Sequence, residues 1–277
     1  MYNLSDINTI RRIISKHGFN FKKSLGQNFL TDDGVCPAMA EYSQGKNVLE
    51  IGPGIGVLTV QLAERAKKVV SIELDRSLEK ILADTLSHTD NTTIVYGDVM
   101  KLDLEQILKE HFGDEPITVC ANLPYNITSP VIMMLLEGNF NIEQMVLMVQ
   151  KEAAERICAP VGTRQAGAIT VAVAMKAESR IVFEVGRECY IPQPNVDSAV
   201  MILSILKEPP IALKNPDRFS ALVKAGFSQR RKTLRNSLSS IADKAAIEKA
   251  LAESGISPTA RIEELNLEQI ATLAENL

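Results

Sequence analysis

Gly52, Gly54 and Gly56 fall within five residues, directly after the apolar run Val48-Leu49-Glu50-Ile51 and directly before a helical pattern from Val57 to Lys67. Glycine has no β-carbon, so such a loop lets a ligand lie against bare backbone at the start of a helix. The next predicted strand, Val69 to Glu73, ends in an acid 21 positions after Gly52, placed to accept hydrogen bonds from a ribose diol. The strand after it, Thr93 to Tyr96, runs into Gly97-Asp98, and open α/β sheets bind ligands at such strand ends, where Asp98 can receive the amino group of an adenine. Three successive strand ends therefore offer groups for one nucleoside ligand. Each has a plainer reading too: Gly97-Asp98 as a simple turn, and Glu73-Leu74-Asp75 as the cap of a helix at Ser77. The spacing G-x-G-x-G departs from the dinucleotide pattern G-x-G-x-x-G, a weak difference by itself, and Glu73 serves NAD and S-adenosylmethionine equally.

The fourth strand end decides between them. Ile117 to Ala121 runs into Asn122-Leu123-Pro124-Tyr125, which resembles the N/D-P-P-Y/F tetrapeptide of S-adenosylmethionine-dependent methyltransferases that modify exocyclic amino groups of nucleobases. Leucine at the second position suits the RNA adenine branch. An adenine amine is a poor nucleophile because its lone pair is delocalised into the ring, so it must be held and rehybridised. Proline fixes its own φ and drives Leu123 into an extended conformation, which aims the Leu123 carbonyl and the Asn122 side-chain oxygen at one point. Two acceptors there bind both amine hydrogens and turn the lone pair toward the methyl donor. Tyr125 then stacks on the base, a contact worth about 1 to 3 kcal/mol. A bare proline turn closing a strand is the competing reading.

The elements that must position these residues alternate. Helical patterns at Ser77 to Leu86, Leu104 to His111 and Pro130 to Glu137 separate the strands, a further strand covers Gln144 to Val149, and this order predicts a parallel sheet covered on both faces. An amphipathic helix with Ser5 as its cap covers residues 5 to 17, a loop carries Lys22 to Leu30, and a helix from Asp32 to Tyr42 leads into the glycine-loop strand. Ala168 to Met175 is read as helix, with Arg180 to Val185 and Ser198 to Leu206 as a final strand pair. Lys207-Glu208-Pro209-Pro210 breaks the pattern and predicts a linker, so that residues 1–206 form one domain and residues 207–277 an all-helical one with start signals at Asn215-Pro216, Ser257-Pro258 and Asn266.

The 277 residues, 45% of them hydrophobic, suffice for a substantial core. No apolar run approaches the roughly 18 residues that span a bilayer, and no secretory pattern opens the chain, so a cytoplasmic protein without membrane contact is expected. Four cysteines without a C-x-x-C pair and three histidines without ligand spacing predict reduced, mostly buried thiols and no metal site. The net charge of −4 conceals two acid-free basic blocks: Arg11, Arg12, Lys16, Lys22 and Lys23, then Arg218, Lys224, Arg230, Arg231, Lys232 and Arg235. Such blocks on an acidic chain fit a polyanion, although either one alone is equally a solvated face.

Lys23-Ser-Leu-Gly-Gln-Asn-Phe-Leu30, Glu50-Ile-Gly-Pro-Gly54, Ile72-Glu-Leu-Asp75, Gly97-Asp98, Asn122-Leu-Pro-Tyr-Asn-Ile127, Gln150-Lys-Glu152, Pro192-x-Pro-x-Val-Asp-Ser198 and Phe227-Ser-Gln-Arg-Arg-Lys-Thr-Leu-Arg-Asn236 together resemble the bacterial 16S rRNA adenine dimethyltransferase family. The resemblance implies a Rossmann-like class I S-adenosylmethionine methyltransferase sheet with a small all-helical C-terminal domain. It implies two methyls on each of two adjacent adenosines in the 3'-terminal hairpin of 16S rRNA, delivered within a precursor small ribosomal subunit by a monomer. Carried over residue by residue, Asn28, Leu30, Gly52, Gly54, Glu73, Asp98 and Asn122 contact the cofactor, Asn122, Leu123, Pro124 and Tyr125 hold the adenine, and Phe29 helps close the site. The family usually has phenylalanine where this chain has Tyr190, which is then either a second aromatic wall touching RNA or a packing residue. Arg230, Arg231, Lys232 and Arg235, in what reads as a helix start, contact RNA phosphates, and the Arg11 to Lys23 block flanks the site loop. Competing readings are a large-subunit rRNA adenine methyltransferase of the macrolide-resistance type, a non-catalytic RNA-binding assembly factor and, more distantly, a dinucleotide oxidoreductase.

Overall fold

Apolar runs that alternate with helical patterns become strands here because both of their faces are buried. In the computed structural model, which describes residues 2–22 and 25–277, nine strands form: β1 (Phe29–Leu30), β2 (Asn47–Ile51), β3 (Lys68–Glu73), β4 (Thr92–Tyr96), β5 (Ile117–Asn122), β6 (Ile142–Gln150), β7 (Ala177–Val185), β8 (Tyr190–Ile191) and β9 (Ser198–Ile205). Seven make one sheet in the order β4-β3-β2-β5-β6-β9-β7. The first five of that order run parallel, with Leu49 beside both Val70 and Val119, and β9 returns antiparallel along β6. Val48, Leu49, Val69, Val70, Val119, Cys120, Val146 and Met148 are buried at its centre. All four parallel strands that precede a candidate site residue therefore end on the same edge, and a register slip of one residue would turn each of those residues to the opposite face.

Helices α1 (Ile7–His17) and α2 (Val35–Ala40) precede the sheet, while α3 (Val57–Arg65), α4 (Glu79–Thr85), α5 (Leu104–Phe112) and α6 (Thr128–Glu137) make its crossovers. The cap of α1 is Asp6, not Ser5: its carboxylate accepts the Thr9 N–H at 2.8 Å, which a residue one position further out does not reach. Helix α2 begins later than the pattern from Asp32 suggests, because the Asp32 side chain caps the Gly34 and Val35 N–H groups. Asp84 on α4 accepts from Lys16 at 2.7 Å, His17 at 3.0 Å and Tyr2 at 3.2 Å, so α1 is fastened to the sheet unit by part of its own basic block. Lys23 and Ser24 of the predicted loop motif lie outside the described residues.

The chain divides into two units, Met1–Ala154 with Arg180–Ile205, and Glu155–Ser179 with Leu206–Leu277. The second holds α8 (Ala168–Ala174), α9 (Pro216–Ser228), α10 (Leu234–Ser237), α11 (Lys244–Glu253) and α12 (Leu267–Asn276), while the connecting helix α7 (Lys151–Ile157) begins in the first unit and ends in the second. Here the single boundary after residue 206 needs correction. The predicted helix at Ala168 does form, but Val171 and Met175 are buried with Phe219, Leu222, Leu234, Leu251 and Ile270, so residues 155–179 belong to the helical unit. Asn215 and Asn266 cap α9 and α12 as their sequence signals predict. Ser257-Pro258 starts only a turn, its serine hydroxyl being bonded to Thr259. The four cysteines form no disulfide: Cys36 and Cys120 are buried, Cys158 and Cys189 half-buried. Among the described residues no cluster of His, Cys, Asp and Glu is arranged to hold a metal ion, and no helix is long and apolar enough to cross a membrane.

Candidate active site

Each glycine of the loop after β2 sits in the left-handed region, with φ of 75° at Gly52, 60° at Gly54 and 93° at Gly56. Side chains with a β-carbon rarely adopt that conformation, so the spacing expresses a backbone requirement. Gly56 caps α3. Gly54 offers its N–H to Glu73 Oε2 at 3.2 Å, and the Asp75 N–H donates to Glu73 Oε1 at 2.7 Å. Burial pushes the Glu73 carboxyl above its ordinary range, while these backbone bonds work against that rise. The carboxylate is thus pinned at the tip of β3, and each oxygen retains a lone pair for a hydroxyl donor.

Asp98 takes the turn of its plainer reading and also stands in the cleft. It closes an Asx turn through the Met100 N–H at 3.0 Å and pairs with Lys101 at 3.3 Å, yet it also lines the same cleft as Glu73. Leu74 and Met100, on either side of the Glu73 and Asp98 strand ends, remain 52% and 41% exposed and line that cleft too. Two exposed apolar side chains beside the strand-end acids suit a flat ring laid between them. Sequence reasoning missed them; the signal was an apolar residue one position after Glu73 and two after Asp98, where a turn would ordinarily be polar.

The tetrapeptide stands at the end of β5. Leu123 is buried and hydrogen-bonds through its N–H to the Met148 carbonyl at 3.0 Å, while the Pro124 carbonyl accepts the Ile127 N–H at 3.1 Å. That turn leads into α6. Neither the Asn122 side chain nor the Leu123 carbonyl has a partner among the described residues, and both residues line the cleft. The Tyr125 hydroxyl is 2.9 Å from Ser198 Oγ, and Tyr190 donates to the same oxygen at 2.9 Å, with Met148 Sδ at 3.1 Å. Burial raises both tyrosine hydroxyls above their ordinary range, so they stay protonated. Tyr190 is only 5% exposed. It therefore lines the cleft and packs at once, with its hydroxyl turned into the protein.

Asn28, Phe29 and Leu30 close one side. Strand β1 pairs with β8, Leu30 opposite Tyr190, and the Phe29 ring packs against Phe19 and Phe21 at centroid distances of 6.0 and 5.0 Å. Asn28 Nδ2 donates to the Gly26 carbonyl at 3.2 Å. Beneath them lies Glu50, fully buried, with Oε2 accepting from Thr59 at 2.8 Å and Ser71 at 2.6 Å and Oε1 without a partner. Burial raises its carboxyl to about 7. The fold therefore brings Asn28, Leu30, Gly52, Gly54, Glu73, Asp98, Asn122, Leu123, Pro124, Tyr125 and Tyr190 to one cleft, together with Glu50. Among the described residues its lining contains three carboxylates and no Lys, Arg or His.

Arg230, Arg231, Lys232 and Arg235 lie in the helical unit, where they divide into two kinds. Arg230 is 2.7 Å from Glu263 and donates to the Arg164 carbonyl at 2.6 Å, and Arg235 is 2.5 Å from Glu248. Arg231 and Lys232 are exposed, with no ion pair among the described residues. Arg230, Arg231 and Lys232 lie in the connection between α9 and α10, and Arg235 in the start of α10 itself.

The family model for ribosomal RNA adenine dimethylase matches residues 18–277. This chain belongs to that family. The dimethylase is 46% identical over 276 residues to "Ribosomal RNA small subunit methyltransferase A" of Anoxybacillus flavithermus, covering 96% of this chain and 94% of the relative. It is 42% identical to the protein of the same name from Clostridioides difficile, covering 99% and 96%. Among solved structures, the 23S rRNA methyltransferase ErmE superposes with a TM-score of 0.67 at 30% identity, covering 90% of the dimethylase and 99% of that chain. A dimethyladenosine transferase from Plasmodium falciparum gives 0.69 at 26%, covering 88% and 95%.

Proposed function

We propose that the dimethylase transfers methyl groups from S-adenosylmethionine to the exocyclic amino groups of two adjacent adenosines in the 3'-terminal hairpin of 16S rRNA, within a precursor small subunit, as a cytoplasmic monomer. The observation that carries the cofactor is the charge of the cleft. Glu50, Glu73 and Asp98 line it without a basic side chain among the described residues, which suits a cationic sulfonium and an ammonium and opposes the pyrophosphate of a dinucleotide. Glu50 Oε1, buried and unpartnered, is a further acceptor for a cation. Glu73 fits a ribose diol, Asp98 an adenine amine, and Leu74 and Met100 the two faces of that adenine.

When bound, S-adenosylmethionine supplies an activated methyl. The protein does the rest by position. Asn122 and the Leu123 carbonyl are acceptors left open for the two hydrogens of a target amine, and Tyr125, tied to Ser198, offers its ring to the base. No lining residue need act as a base, because an alkylated amine bearing positive charge gives its proton readily to solvent. After one methyl has been added a single hydrogen remains, and one acceptor still orients it. The target base has to leave its stack to reach this point.

The small-subunit substrate is supported by relatives of that name at 42% to 46% identity, against 30% for the large-subunit enzyme. Labelled cofactor supplied to precursor small subunits and, separately, to protein-free large-subunit rRNA tests it. Dimethyladenosine in the first is expected; label confined to the second would overturn the reading. Arg231 and Lys232 are the free cations of their segment, so replacing both with alanine should weaken particle binding and reduce the slope of log K against log salt by about 2, one unit per lost phosphate contact. An unchanged slope would remove them from the RNA interface.

A further inference from the structure

Residues 25–30 cross the cleft from one half to the other. A β-carbon on Gly26 would meet Pro124 Cβ at 3.5 Å, and one on Gly54 would meet the Phe29 ring at 3.2 Å. The segment therefore lies against the tetrapeptide at one point and against the glycine loop at another. Its far end is fixed by the pairing of β1 with β8. Near its other end the fastening is a single carboxylate. Gln27 Nε2 donates to Asp75 Oδ2 at 2.8 Å, Lys22 Nζ donates to Asp75 Oδ1 at 2.6 Å, and the Lys22 N–H donates to Gln27 Oε1 at 2.8 Å.

Asp75 is only 4% exposed. Burial pushes its carboxyl up, but hydrogen bonds from Lys22, Ser77 and Gln27 outweigh this and leave it at about 2, so it is ionised throughout the working range. A buried carboxylate holding three side chains and a cap is a strong fastening, since charge-assisted bonds are about twice as strong as neutral ones. The same residue's N–H orients Glu73. One residue thus touches both the group that fits the ribose and the strap that lies over the cleft.

We propose that Asp75 is a positioning residue for the cofactor, holding residues 25–30 as a strap across the cleft through Gln27 and Lys22 and keeping that strap in register with Glu73. The proposal rests on the S-adenosylmethionine reading of the cleft. A ligand seated beneath the strap leaves only when the strap lifts, so loosening its fastening should speed release and raise the cofactor KM rather than lower kcat. Gln27→Ala is the sharper variant, because it frees the strap while leaving the Asp75 cap on Ser77 intact; Asp75→Asn removes the charge but keeps an acceptor.

Titration of the full chain with S-adenosylhomocysteine, alongside steady-state methyl transfer, tests this. Expected are a rise of about tenfold in Kd for Gln27→Ala, equivalent to one good hydrogen bond, a matching rise in cofactor KM, and a smaller further rise when Asp75→Asn is added than Asp75→Asn causes alone. Wild-type affinity in a folded Gln27→Ala protein overturns the proposal, as does a loss confined to kcat. Failure of the wild type itself to bind S-adenosylhomocysteine would instead overturn the cofactor reading beneath it.

Discussion

Asn122→Ala is expected to lower methyl transfer to precursor small subunits by about 10² to 10³-fold while leaving particle binding within about twofold, the usual loss when one preorganised hydrogen-bonding group at a reacting centre is removed. The Asn122 side chain has no partner among the described residues, stands at the end of β5 and shares the cleft with the open Leu123 carbonyl. Alanine removes one of two acceptors for the amine and keeps the strand, because the β5 ladder to Met148 is made by backbone. The amine is then held by one hydrogen bond, free to rotate out of line. Asn122→Asp should recover part of the activity, since a carboxylate accepts the same hydrogens, though it adds a fourth acid to the cleft. Nucleoside analysis of the product decides the matter: dimethyladenosine at wild-type yield and rate in the alanine variant would exclude this role for Asn122.

The second large effect concerns stability. Glu50 is fully buried, and burial lifts its carboxyl from 4.5 to about 7, its bonds from Ser71 and Thr59 only partly opposing the rise. A group whose folded value is raised is neutral in both states below about pH 4.5, so it takes nothing from stability there. As pH climbs toward 7 the unfolded chain ionises first, and the folded state loses stability, by about 3 kcal/mol once both are ionised. Glu50→Gln copies the neutral acid and removes that loss. The variant should exceed the wild type by about 1 kcal/mol at pH 5 and by about 3 kcal/mol at pH 8. Tyrosine fluorescence during denaturant unfolding reports the right unit, because Tyr2, Tyr42, Tyr96, Tyr125 and Tyr190 all lie in it. Equal differences at the two pH values would show that Glu50 does not titrate in this way. The same substitution should weaken cofactor binding, since it takes one carboxylate from a cleft suited to a cation.

Asn122 could be picked out before any coordinates; Glu50, inside β2, could not, because its role depends on burial. Strand ends in a parallel sheet are local: an apolar run stops, a glycine, acid or amide follows, and the alternation of strand and helix stacks those ends on one edge. Gly52, Gly54, Glu73, Asp98 and Asn122 were legible in that way, and three left-handed glycines explain a spacing that the sequence could only describe. What stayed hidden depends on partners far away in the chain. The segment 155–179 reads as more of the first domain until Val171 and Met175 meet Phe219 and Leu222. Arg230 and Arg231 are neighbours of the same type, yet one holds Glu263 and the other faces solvent. Tyr190 differs from the expected phenylalanine by one oxygen, whose place against Ser198 no pattern reveals.

The amino-acid sequence by itself determined the chemistry offered: glycines that demand bare backbone, acids at two strand ends, and an amide and a proline that aim two acceptors at an amine. Those are properties of residue type and of short spacing, which backbone sterics convert directly into geometry. Only the tertiary structure decided how they act together. It lined the cleft with three carboxylates and, among the described residues, no basic side chain, left Glu50 Oε1 without a partner, exposed Leu74 and Met100 beside the acids, and bonded Gln27 to Asp75. Burial, charge balance and long-range hydrogen bonds are sums over residues distant in the chain, and they acquire values only when it folds.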